Sequence, residues 1–120
     1  MHELAICQSV LRQVLAVATA REAGRVVRIT LRIGPLAGVE PALLQSAFPI
    51  VAAGTCCARA SLDIEAAAVV VHCQICGATS DATANRLLCG DCGTWRVRLL
   101  SGDQMQLASI DLFDEEPVHV

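Results

Sequence analysis

With nine Arg, no Lys and twelve acidic residues in 120, the chain carries a formal charge of −3. That balance argues against non-specific nucleic-acid binding, which draws its affinity from clustered basic side chains meeting phosphates. The length gives one ordinary domain or two very small ones, with a modest core and room for a second stabilising device. Hydrophobic residues make up 54% of the chain, yet no apolar run approaches the roughly 20 residues of a membrane span, and nothing resembles a signal peptide. A soluble, cytoplasmic protein is therefore expected. Seven cysteines form an odd set without an export signal, which favours metal binding by reduced thiols over a disulfide framework.

The chain opens Met1-His2-Glu3. An N-terminal amine, the amide nitrogen of residue 2 and the Nδ1 of a histidine at position 2 close fused chelate rings that force the donors into a plane. A planar nitrogen set suits Ni(II) or Cu(II) and not the tetrahedral preference of zinc. From Leu4 to Arg21 there is no Gly or Pro, and Leu4, Cys7, Leu11, Val14, Leu15 and Ala18 recur at helical spacing, so an amphipathic helix is predicted. Glu3 falls in its first turn, where a carboxylate complements the helix dipole, and Gly24 is the expected stop. Val27, Ile29, Leu31 and Ile33 alternate with Arg28, Thr30 and Arg32, the pattern of a strand with one wet face. Gly34-Pro35 ends it. A second helix is predicted from about Pro41 towards Ala53, with Glu40 at its N-terminus and a kink or early stop at Pro49. Leu62 to Glu65 alternates again and leads through Val69–Val71, a second strand running into a connector.

Two cysteine pairs follow, Cys73-Gln74-Ile75-Cys76-Gly77 and Cys89-Gly90-Asp91-Cys92-Gly93, with twelve residues from Gly77 to Leu88 between the pairs. Each CxxC-Gly makes a tight turn that aims two thiolates at one point, and two such knuckles supply the four-sulfur shell of a structural zinc site. Spacing alone leaves iron open in the same shell. Zinc at Cys73, Cys76, Cys89 and Cys92 would fold a segment with almost no core of its own. Trp95, Val97 and Leu99 read as a further strand, and Gln104–Leu112 as a last one, bulged or buried on both faces. The tail from Asp114 is acidic and expected to fray, His119 with it. Cys7 reads as a core thiol and Cys56-Cys57 as loop residues, outside the metal pattern; His72, next to the first knuckle, reads as a second-sphere or exposed histidine, with exchange into the ligand set as the alternative.

Met1-His2-Glu3-Leu4, Ile33-Gly34-Pro35-Leu36-Ala37-Gly38-Val39-Glu40-Pro41, the two knuckles and the closing strand after Gly102 together resemble the hydrogenase nickel-incorporation metallochaperones of the HypA/HybF family. The resemblance covers nearly the whole chain. It implies an α+β fold: two helices on a three-stranded sheet form a nickel domain, residues 1–70 plus 101–120, with a small zinc-ribbon-like zinc domain, residues 71–100, inserted in it. It implies Ni(II) held by the Met1 amine, backbone nitrogens at His2 and Glu3 and the His2 imidazole, as cargo and not as a catalytic cofactor, beside structural Zn(II) on the four knuckle cysteines. No arrangement of residues points to enzymatic turnover. Partners implied are a nickel-handling GTPase of the maturation pathway and the large subunit of a nickel-iron hydrogenase, with urease as a further client in some organisms. The resemblance leaves a monomer and a homodimer both open, with no nucleic-acid or membrane partner. A zinc ribbon that binds nucleic acid or protein, and an iron electron carrier, are the competing readings of the cysteines.

Overall fold

The computed structural model describes residues 2–113 and 118–120. Met1, part of the expected nickel site, and the acidic residues at the head of the tail lie outside the described residues. The element order is α1 His2–Ala20, β1 Val26–Ile33, α2 Pro41–Ala52, β2 Ser61–Ala66, β3 Val70–Cys73, β4 Thr79–Asp81, β5 Val97–Ser101, β6 Met105–Leu112 and β7 Val118–His119. The strands form two sheets, β2-β1-β6-β7 and β4-β3-β5. The fold is α+β, two helices with two sheets, and the chain divides into two compact units. One comprises Met1–Leu31, Val39–Glu65 and Gln106–Val120, the other Arg32–Gly38 and Ala66–Met105.

The first unit holds the larger core. On α1 the stripe Cys7, Val10, Leu11, Val14 and Ala18 is buried. The Cys7 thiol donates to the Leu44 carbonyl at 3.4 Å, tying α1 to α2. By length and composition α1 would reach across a membrane, longer as an apolar helix than the sequence reading allowed. Its buried stripe and its seat against α2 make it a core helix instead. Its end also differs from expectation. Glu22 takes the left-handed conformation, φ 55°, while the amides of Glu22 and Ala23 donate back to Thr19 and Ala18 at 3.1 and 2.9 Å. This paired 5→2 and 6→1 arrangement is a Schellman stop, two residues before Gly24.

α2 does not stop at Pro49, which lies inside the helix. The missing amide removes one intrahelical bond, but Phe48 and Ala52 are 1% and 0% exposed and anchor the last turn in the core. Burial along β1 also departs from strict alternation: Val26 is buried and Val27 exposed, and Thr30 is buried beside Ile29 and Leu31. Arg28, on the wet face of β1, reaches Asp63 of β2 at 3.1 Å and Asp111 of β6 at 3.8 Å, which follows from the central place of β1 between those strands. The end of the chain is ordered against β6: Val118 pairs with Ile110 and His119 with Ser109. This short fourth strand was not anticipated.

In the second unit, Val70 and Val71 belong to β3 and not to an extension of β2. β3 pairs antiparallel with β4, Val71 opposite Ser80, and with β5, Val71 opposite Leu99. β4, which the sequence pattern did not reveal, occupies the segment between the knuckles. Trp95 stands outside β5 and is 72% exposed.

Candidate metal centres

β3 delivers Cys73 as its last residue, and the chain then turns at once. The two knuckles are near copies. The Cys73 amide donates to the Ala78 carbonyl at 2.8 Å and the Cys89 amide to that of Thr94 at 2.9 Å. The Gly77 and Gly93 amides return to the carbonyls of Cys73 and Cys89 at 3.2 and 3.0 Å. Both glycines have φ 78°, a backbone that an L side chain rarely adopts, so the sequence places glycine after each second cysteine.

The turns aim backbone amides at sulfur. Ile75 and Cys76 donate to Cys73 Sγ at 3.3 and 3.2 Å, and Asp91 and Cys92 donate to Cys89 Sγ, both at 3.4 Å. These bonds favour the thiolate. The Cys76 amide, assisted by that of Ile75, lowers the Cys73 thiol to about 6, and the amides of Cys92 and Asp91 lower that of Cys89. The outer pair responds in the opposite sense. At Cys76 the Ala78 amide favours the thiolate, but the Cys73 sulfur and burial oppose it and the thiol rises to about 12. Cys92 is likewise raised, the Thr94 amide being outweighed by burial and the Cys73 sulfur.

The four sulfurs converge. Cys73 and Cys92 stand 3.6 Å apart, Cys76 and Cys89 also 3.6 Å, and all four lie within 4.8 Å of one another. A tetrahedron of sulfurs with metal–sulfur bonds of ~2.3 Å has edges of about 3.8 Å, so the cluster fits one tetrahedral ion. Cys73 and Cys89 are buried, Cys76 and Cys92 exposed.

His72 is not brought into this group. Its Nδ1 pairs with Thr79 Oγ1 at 3.2 Å across β3 and β4. Cys7 and Cys57 are buried and Cys56 is half-buried, all outside the cluster. Glu40 is the N-cap residue of α2 but makes no side-chain cap.

At the other candidate centre, His2 is exposed and begins α1, and Glu3 follows in the first turn. The first four amides of a helix have no intrahelical acceptor, which leaves those of His2 and Glu3 without backbone partners in α1. Glu3 also faces one turn along the helix: burial raises the Cys7 thiol, and the Glu3 charge adds to the effect.

A sequence model of the family described as hydrogenase/urease nickel incorporation, metallochaperone, hypA, matches residues 1–112. The chain is 42% identical over 112 residues to the hydrogenase maturation factor HypA of Nitrosospira multiformis, covering 93% of this chain and 97% of that protein. It is 39% identical over 112 residues to the HypA of Chlorobium limicola, with the same coverage. The solution structure of the nickel metallochaperone HypA from Helicobacter pylori shares the fold, with a TM-score of 0.69 at 24% identity over 94% of this chain and 98% of that one. A second solution structure of a HypA protein gives 0.75 at 26% identity, over 96% and 98%.

Proposed function

This chain belongs to the HypA family of nickel metallochaperones for hydrogenase maturation, proteins that are not enzymes, and from that premise we propose that it carries Ni(II) at its N-terminus for delivery to a nickel-iron hydrogenase. The donors are the Met1 amine, the backbone nitrogens of His2 and Glu3 and the His2 imidazole. The observation that carries this reading is the placement of His2 and Glu3 at the head of α1. Amides there are the ones a helix does not use, so a metal can take them without breaking the backbone ladder. His2 is exposed, and a planar nitrogen set matches Ni(II). Deprotonation of these donors makes binding pH-dependent, so acidification releases the cargo.

Zn(II) on Cys73, Cys76, Cys89 and Cys92 is the structural metal of this proposal, supported by the four-sulfur cluster. Residues 1–70 with 101–120 act as the nickel domain and 71–100 as the zinc domain; the second compact unit contains all of 71–100, and also takes in 32–38, 66–70 and 101–105. The receiving partners are a nickel-handling GTPase and the hydrogenase large subunit in the cytoplasm, with urease as a second client. The protein works as a monomer or homodimer.

Nickel titration with metal analysis tests this. His2→Ala and a variant with one residue added before Met1 are each expected to lose tight nickel binding while keeping one zinc per chain. Unchanged nickel affinity in either variant overturns the N-terminal site. A visible sulfur-to-iron charge-transfer band in protein purified without added metal overturns the zinc assignment.

A further inference from the structure

We propose that the first unit has an oxyanion site of phosphate class, in a cavity of about 230 Å³ lined by Gly24, Arg25, Thr55, Cys56, Ala58 and Arg59. Two arginines, Arg25 and Arg59, line one small concavity, and neither has a carboxylate partner among the described residues. Arg28, by contrast, takes both Asp63 and Asp111. Like charges on the lining of one concavity repel each other, a cost that an anion bound there offsets.

The walls are fixed in advance. Thr55 Oγ1 donates to the Ala52 carbonyl at 2.7 Å and accepts the Cys57 amide at 3.1 Å. The Ala58 amide returns to the Thr55 carbonyl at 3.1 Å, and the Cys56 carbonyl accepts the Val26 amide at 3.0 Å, which fastens this turn to the start of β1. Cys57 beneath it is fully buried. At Arg25 the backbone carbonyl accepts the Phe113 amide at 3.1 Å, and the guanidinium lies 4.3 Å over the Phe113 ring. Stacking leaves the edge of the guanidinium available to donate, and its planar fork matches the oxygens of phosphate. The site shares no residue with either metal centre and does not depend on the nickel reading.

The test is an amide-shift titration of the full metal-loaded chain with inorganic phosphate and, separately, with ADP, ionic strength being held constant with chloride. The expected result is saturable shifts confined to residues 24–26 and 55–59, weakened about tenfold by Arg59→Gln and unaffected by Arg12→Gln on α1. Arg59 is exposed and has no ion pair among the described residues, so its variant should fold. Arg25→Gln, which also removes the Phe113 contact, serves as the second variant. Tighter binding of ADP than of phosphate identifies the ligand as a phosphate ester; equal binding identifies free phosphate. Shifts reproduced by chloride alone, shifts located elsewhere, or full affinity in Arg59→Gln overturn the site.

Discussion

Glu22 terminates α1 with φ 55°, where the Cβ of any L residue crowds the following carbonyl at a cost of ~1–2 kcal/mol. Glu22→Gly is accordingly expected to stabilise the protein by about 1 kcal/mol, read from the urea midpoint at constant slope. Gly24 drew attention in the sequence because glycine is the usual stop residue. The hydrogen bonds from Glu22 and Ala23 decide the end instead, and no local composition announces them. Cys57 is a second residue whose role the sequence hid, since a loop dipeptide gives no sign that one thiol is fully buried. Burial first, then the neighbouring Cys56, pushes Cys57 from an ordinary value of 9.0 up to about 12. Because the folded value is raised, the stability contributed by the neutral thiol is complete below pH 9 and is lost as pH rises from about 9 to about 12. Urea unfolding across that range is expected to show falling stability, with a shallower slope for Cys57→Ala.

At the level of elements, the two knuckles were legible residue by residue because CxxC-Gly dictates its own backbone: two sulfurs, amides aimed at them, and a glycine where φ is positive. Helix α1 was legible from its period. Pro49 raised the expectation of a kink or an early stop; the stop does not occur, and α2 runs on to Ala52 because Phe48 and Ala52 are buried. β4 was invisible because Thr79–Asp81 is short and largely exposed, and only its pairing with β3 makes it a strand. Gly34 and Gly102 illustrate a further long-range requirement. Leu36 donates to the Gly102 carbonyl at 2.7 Å and Gly34 to that of Gln104 at 2.9 Å, and a Cβ on Gly34 would collide with the Gly102 carbonyl. Backbone cannot swing aside as a side chain can, so Gly34→Ala is expected to cost ~1–3 kcal/mol, measurable by thermal or urea unfolding.

Across the whole molecule, the large buried side chains Phe48, Ile29, Leu31, Leu44, Ile110, Val14 and Val26 all belong to the first unit. The second keeps Ile33, Ala67, Val69 and Val71 beside its two buried cysteines, too little apolar area to fold unaided. Removing the metal with a strong chelator is therefore expected to collapse the amide spectrum of β3, β4 and β5 while that of α1, α2 and β1 persists; uniform loss would refute this division of labour. The family and the cysteine centre could be read before any coordinates, because ligand chemistry restricts residue type and spacing together. The cavity between Arg25 and Arg59 could not, because those residues are 34 positions apart in the chain and only folding makes them neighbours. The unequal exposure of each knuckle bears on how a metal there departs. An incoming donor would meet Cys76 and Cys92 first, and displacing either would leave an ion held by three sulfurs, the buried Cys73 and Cys89 among them. Exchange would then proceed by substitution, at a rate set by the concentration of the competitor.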